Sequence, residues 1–419
     1  MKRTPLHGWH KGHGANMAEF GGYEMPLWYG SAKEEHLSVL TKAGLFDTSH
    51  MAVVEVKGSN AFHLLQKCFS RDLRECLGPT KRPLTPGNCV YGVFLNVSGG
   101  VVDDAIVDQL DENHYLCVVN AGMGGVLTRH LLDHAEGLSV HIRDLTDEVG
   151  KIDIQGPAAA KVLKKVLQDP GAVFEGMRYF SFKGHFEDSS GPTGTVLLKN
   201  NIPILLSRTG YTGEFGFEIF CDPTRVTEVW EMILDAGRDF GITPCGLAAR
   251  DSLRAGAVLP LSHQDIGPWP FLRNPWIFAL PFNEDQTGFT KDFTGGEALL
   301  EIHDADYTLP FIGNDLRKVP VTETTTVQTL DGSPIGTVLT CVTDMGIGKV
   351  EDKIYSVASP DKPVGFAPRG LSCGFVKVKK ALKAGEAIRL TDGRRAIDVT
   401  ITYDIRPDRT ARVPIQSML

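Results

Sequence analysis

Apolar positions in the first 150 residues switch between a helical and an alternating spacing. Leu37, Leu40 and Leu45 predict a helix over 31–43, opened by an S-x-x-E capping box at Ser31 and Glu34, with Gly44 as its C-cap. Residues 51–56 read as a strand ending at Gly58, and a helix follows around 61–66. Residues 89–95 and 101–107 read as strands flanking the turn Ser98-Gly99-Gly100, with a further strand at 114–119. This is the pattern of a small α+β unit with an antiparallel sheet.

Near residue 150 the pattern resets. Residues 151–154 predict a short strand, and Pro157 starts a helix over 158–167. Strands are expected at 195–198, 204–207 and 217–220. The clearest helix spans 223–236, with Asp222 as cap, Pro223 at its first position, and Val226, Val229, Trp230, Ile233 and Leu234 on one face. Another helix is expected over 247–255. Residues 265–293, rich in Pro, Trp and Phe, read as an irregular linker. From about 308 short strands and turns predict an all-β unit, with hairpins at Asp331-Gly332 and Asp392-Gly393.

A chain of 419 residues exceeds one core and implies several domains. Its 43 basic and 51 acidic residues, net charge -8, argue against general nucleic-acid binding. No apolar run approaches the roughly 18 residues of a membrane span. The first residues carry no apolar signal core, so a cytoplasmic or matrix-like location is expected. None of the eight cysteines is spaced as C-x-x-C, and buried free thiols are the expectation, with no metal site.

Candidate chemistry is sparse. Asp103 and Asp104 sit inside an apolar strand, where neighbours point to opposite faces, so one of them should face the core or a cleft. An inward carboxylate is costly unless paired or functional, although a solvated turn pair is as good a reading. Glu218 lies opposite Phe217 and Ile219 on its strand, and Arg250-Asp251 lie on the 247–255 helix; exposed roles are the commoner case for both. His7, His10 and His13 recur every three residues among glycines, a poor scaffold for a metal. His50 and His263 are expected in hydrogen-bonded structural roles, and Gly122-Met123-Gly124-Gly125 in a turn rather than a phosphate loop. Read together, the Tyr211–Glu218 stretch, the Asp pair and Arg250 describe an aromatic, acidic pocket. A reduced pterin suits it, because its amino and ring N–H groups form a donor pair that one carboxylate accepts side by side.

Order and spacing add more. Met25-Pro26-Leu27-Trp28-Tyr29-Gly30-Ser31, Ala43-Gly44-Leu45-Phe46-Asp47-Thr48-Ser49-His50-Met51, Gly99-Gly100-Val101-Val102-Asp103-Asp104, Tyr211-Thr212-Gly213-Glu214 and Gly246-Leu247-Ala248-Ala249-Arg250-Asp251-Ser252-Leu253-Arg254 occur in this order. From Arg3 to about Arg409 the chain resembles the T-protein family of the glycine cleavage system, folate-dependent aminomethyltransferases. The resemblance implies an α+β fold of three domains around a central folate channel, two with antiparallel sheets and one a C-terminal β-barrel-like domain. The first would combine 1–50 with 150–270, the second would span 51–149, a linker and helix would cover 271–305, and the barrel 306–419. It implies tetrahydrofolate as co-substrate, a lipoylated H-protein as partner, and no nucleic acid or membrane. Asp104 matches the catalytic aspartate. Glu218 and Arg250 match pterin-recognition positions, and Tyr91, Met51, Asn120, Tyr179 and Tyr211 match the folate-pocket lining.

Four departures stand out. The family's helix usually continues Leu-Arg-Leu-Glu-Ala-Gly, whereas here Gly256 replaces the charged residue. Arg273-Asn274-Pro275-Trp276-Ile277 replaces a segment that usually contains Thr-Pro-x-Glu, with Trp269 nearby. Asp108 stands where tyrosine is common. A turn of the form Thr-Ser-Gly-x-x-Ser-Pro is absent, and an insertion of about 343–370 takes its place. These raise a rival, a tetrahydrofolate-dependent demethylase with Trp269 and Trp276 walling a cationic methyl donor; simple packing of the two rings is the better expectation. A non-catalytic folate-binding accessory protein is a second rival, without the cysteine signature such proteins carry.

Overall fold

A computed structural model describes residues 1–187 and 191–419. The first sheet orders its strands as Phe182–Gly184, Leu205–Ser207, Gly216–Cys221, Gly150–Gln155, Ala43–Asp47 and Ile242–Cys245. It is antiparallel apart from Ile242–Cys245, which runs parallel to Ala43–Asp47. Alternation decides its faces. Phe217 and Ile219 enter a core with Val162, Leu163, Val229 and Trp230 from the helices Ala159–Val166 and Val226–Gly237, while Glu218 turns the other way.

The second sheet runs Cys89–Leu95, Val101–Asp111, His114–Val119, Ala52–Lys57 and His141–Asp144, antiparallel throughout. Its back is covered by Leu64 and Leu65 from the helix Ala61–Cys68 and by Leu127 and Leu131 from Gly124–Leu132. Gly122 lies in the turn that leads into that second helix, which Gly124 opens. The third unit is a closed six-strand barrel, sealed where Phe311 pairs with Ile401. The expected Asp331-Gly332 and Asp392-Gly393 turns join neighbouring strands of it.

Several expectations need correction. Ser31 does cap the helix Ala32–Thr41, its hydroxyl accepting from the Glu34 amide at 3.4 Å. Gly44 is no C-cap: it is the second residue of the strand Ala43–Asp47, where an added Cβ would lie 2.4 Å from Val39 and 2.8 Å from the Cys245 sulfur. Close packing of helix on strand, not a left-handed turn, is what needs glycine there. Asp222 accepts from the Thr224 amide and hydroxyl, making a turn that delays the next helix to Val226. Residues 195–198 form only isolated bridges, Leu197 to Pro203 and Leu198 to Leu167, because the chain folds back after two residues.

The departures become legible here. A Cβ at Gly256 would sit 1.9 Å from an Asp344 carboxylate oxygen. Asp344 ends the long barrel strand Pro334–Asp344, pairs with His36 at 2.8 Å, and binds the buried Arg406 guanidinium. Arg406 also meets Glu214 at 3.0 Å and the Thr212 and Leu253 carbonyls. The insertion that follows folds as a hairpin of Ile347–Val350 with Lys353–Ser356. Trp276 is 2 % exposed, packs edge-on to Phe375 and donates its indole N–H to the Val258 carbonyl at 2.8 Å. Trp269 lies under the Lys377 ammonium, 4.1 Å from the ring centre. Trp276 also borders the central cavity, whereas Trp269 does not. Along the short helix His7–Gly12, His10 pairs with buried Asp47 at 2.9 Å and His7 with Glu24 at 2.7 Å.

Candidate functional site

Between the two sheets and the barrel lies a cavity of about 1730 Å³. All eight residues singled out in the sequence line it: Met51, Tyr91, Asp104, Asn120, Tyr179, Tyr211, Glu218 and Arg250.

One part of its wall comes from the second sheet. Tyr91 and Asp104 sit on adjacent strands, and Asn120 follows the third. The Tyr91 hydroxyl donates to one Asp104 oxygen at 2.9 Å, and the Asn120 side-chain amide donates to the other at 2.7 Å. The same amide reaches Asp103 at 2.8 Å, and the Asn120 backbone N–H donates to the second Asp103 oxygen at 2.9 Å. Strand alternation does part them, Asp104 lining the cavity and Asp103 buried outside its lining, yet the one Asn120 side-chain amide bridges both. Among the described residues the only basic side chain within 4 Å of either is His263, 3.6 Å from Asp103 and too far for the hydrogen bond expected of it. Burial, reinforced by the Asp103 charge, pushes the Asp104 carboxyl up to about 7. Burial and Asp104 push the Tyr91 phenol well above its ordinary value.

The other part comes from the first sheet and is rich in ion pairs. Lys151 and Asp153 alternate on one strand, and Glu218 pairs across from Asp153. The Lys151 ammonium donates to Glu218 at 2.6 Å and to Asp153 at 2.7 Å. Arg250 donates to the second Asp153 oxygen at 2.8 Å, and the Thr209 hydroxyl donates to the free Glu218 oxygen. Arg250 is thus a buried partner, not a surface residue. Its guanidinium lies 4.9 Å from the Tyr211 ring centre. Burial alone would raise the Asp153 carboxyl, yet Lys151 and Arg250 outweigh it and hold the group below its ordinary range.

Reading the sequence missed Lys151 and Asp153. The signal was present in Gly-Lys-Ile-Asp-Ile-Gln, where two charges at i and i+2 share one face of an apolar strand. His50 also differs from expectation: its buried Nδ1 has no partner, and burial, with help from Arg250, pushes the imidazole down to about 4. Asp108 is wholly buried with one oxygen unpartnered, and burial raises its carboxyl well above the ordinary range.

Two sheets and a barrel closing on one shared, acid-lined cavity define a multidomain group-transfer enzyme. The chain belongs to the GCVT family of aminomethyltransferases, whose N-terminal domain matches residues 6–269. The aminomethyltransferase of Geobacillus thermodenitrificans (strain NG80-2) is 41% identical over 266 residues, 64% of this chain and 67% of that one. That of Bacillus velezensis is 36% identical over 344 residues, covering 81% and 86%. The crystal structure of glycine cleavage system aminomethyltransferase T from Bartonella henselae matches with a TM-score of 0.74 at 26% identity, covering 96% of each chain. Among the described residues no helix is long and apolar enough to cross a membrane.

Proposed function

We propose that this chain moves a one-carbon unit to tetrahydrofolate, taking it as the aminomethyl group on the lipoyl arm of an H-protein, releasing ammonia and freeing the reduced lipoyl thiol. The observation that carries this reading is Asp104, a carboxyl without a cationic partner, in the same cavity as the Glu218–Lys151–Asp153–Arg250 cluster. The residues fit a pterin. Each Glu218 oxygen accepts one hydrogen bond and keeps a further lone pair for the ring's paired donors. Tyr91, Tyr179 and Tyr211 supply apolar faces. All eight cysteines are free, in keeping with a reducing cytoplasm.

When bound, tetrahydrofolate supplies the nitrogen that accepts the carbon. Lys151 and Thr209 fix Glu218 so that it orients the ring. Tyr91 and Asn120 fix Asp104, whose carboxylate stabilises positive charge developing at the transferred carbon. With its carboxyl near 7, Asp104 can also hold a proton at neutral pH. Holding the reacting atoms in line supplies much of the rate.

The test follows ammonia and methylenetetrahydrofolate from aminomethyl-loaded lipoyl H-protein. Rapid formation of both, lost in Asp104→Asn with folate affinity kept, supports the reading. Comparable turnover by Asp104→Asn at saturating folate refutes the role given to Asp104. Tight folate binding with no product from the wild type refutes the donor.

A further inference from the structure

On the back of the second sheet, away from the cavity lining, the fold gathers Cys68, His130 and His134. Cys68 ends the helix Ala61–Cys68. His130 lies in Gly124–Leu132, and His134 follows one turn later. The Cys68 sulfur and one nitrogen from each ring lie within 4.8 Å of one another. An ion at their centre is then at most about 2.8 Å from each, and small side-chain shifts close this to the roughly 2.0–2.3 Å of zinc bonds.

The hydrogen bonds leave these rings ready to bind metal. The Nδ1 of His134 lies 2.8 Å from the His130 carbonyl, which can only accept, so the proton is on Nδ1 and Nε2 carries the lone pair. That Nε2 meets the Thr294 hydroxyl at 3.2 Å, but the hydroxyl has a second acceptor in the Lys67 carbonyl, also at 3.2 Å. Releasing His134 therefore leaves Thr294 satisfied. The Nε2 of His130 is buried with no partner at all, an anomaly that a ligand removes. Burial pushes the Cys68 thiol up to about 12, with Lys291 pulling the other way, so a metal must displace its proton on binding.

We propose that Cys68, His130 and His134 form a binding site for a zinc-class divalent cation, with a fourth position left for water. Binding displaces the thiol proton to solvent and leaves a thiolate–metal bond with two neutral imidazoles. One thiolate and two imidazoles suit zinc or cobalt over magnesium or calcium. The ion ties Ala61–Cys68 to Gly124–Leu132 behind the strands that carry Tyr91, Asp104 and Asn120. Sequence spacing hides the site because its thiol and its imidazoles come from separate helices.

The test titrates chelator-treated full-length protein with Co(II). The expected result is one equivalent bound, with a thiolate-to-cobalt charge-transfer band that Zn(II) abolishes. Cys68→Ser should lose the band, and His134→Gln should weaken cobalt binding at least tenfold. No band in the wild type, or an undiminished band in Cys68→Ser, overturns the proposal. If Cys68→Ser does not fold, His134→Gln and His130→Gln decide the matter, and unchanged affinity in both overturns it.

Discussion

Asp104 and Asp153 are the same side chain in two parts of one site, and they behave in opposite ways. Asp153 is wholly buried between Lys151 and Arg250, and its carboxylate is held ionised. Asp104 meets only neutral donors, Tyr91 and Asn120, beside a second carboxylate, and its proton is held to about pH 7. Burial pushes both in the same direction, so the neighbours decide the outcome. The ion-paired region has the composition of a fixed binding platform. The uncompensated one has that of a group kept ready to change charge or to meet a cation.

The largest expected effect falls on the ion-paired side. Asp153→Ala strands Arg250 in the interior, leaves Lys151 with Glu218 alone, and should cost about 3–5 kcal/mol, read as a lower urea midpoint. A loss below about 1 kcal/mol would mean that water already reaches the cluster. Next, Asp104→Asn should lower turnover by about 10²–10³ while leaving folate affinity within a few fold, by calorimetry and steady-state rates. If it lowers the urea midpoint as much as Asp153→Ala is expected to, the contrast between the two aspartates disappears.

Glu218→Gln should raise the folate KM by roughly 10–100-fold with little change in kcat, because Lys151 keeps Asp153 and only a charged acceptor is lost. The smallest effect concerns pH. A carboxyl at 3.8 in the unfolded chain and about 7 in the folded one keeps its proton longer in the native state. Its contribution is fully present below about pH 4 and lost as pH rises through 7. Asp104→Asn should therefore gain stability over wild type between pH 4 and 8, on the order of 1–3 kcal/mol, by denaturation at the two ends. The wild-type kcat should rise through pH 7, since the carboxylate is the active form, and that limb should be missing in the variant.

Where one periodicity dominated, the sequence was readable. The strands Cys89–Leu95 and His114–Val119 and the helix Leu247–Gly256 stand as their apolar spacing predicts, within a residue. Misreadings cluster where a local signal met a tertiary one: Gly44 serves close packing, and Asp222 makes a turn instead of a cap. The cavity lining came from ordered motifs resembling a family, since Glu218 or Arg250 alone would pass for a surface residue. Lys151 escaped because a lysine on a strand ordinarily faces water, and its burial depends on partners 2 and 67 positions away. His130 and Cys68 escaped for the same reason, that no local pattern records which helices share a back.

Arg406 ties the barrel to the helix. The carboxylate that fills the space beside Gly256 arrives from the barrel as Asp344, and with Glu214 it neutralises the buried guanidinium. Any side chain at position 256 would collide with Asp344. Positions 256 and 344 are therefore constrained together, although one belongs to a helix and the other to the barrel. A larger residue at 256 fits only if the end of the barrel strand changes with it.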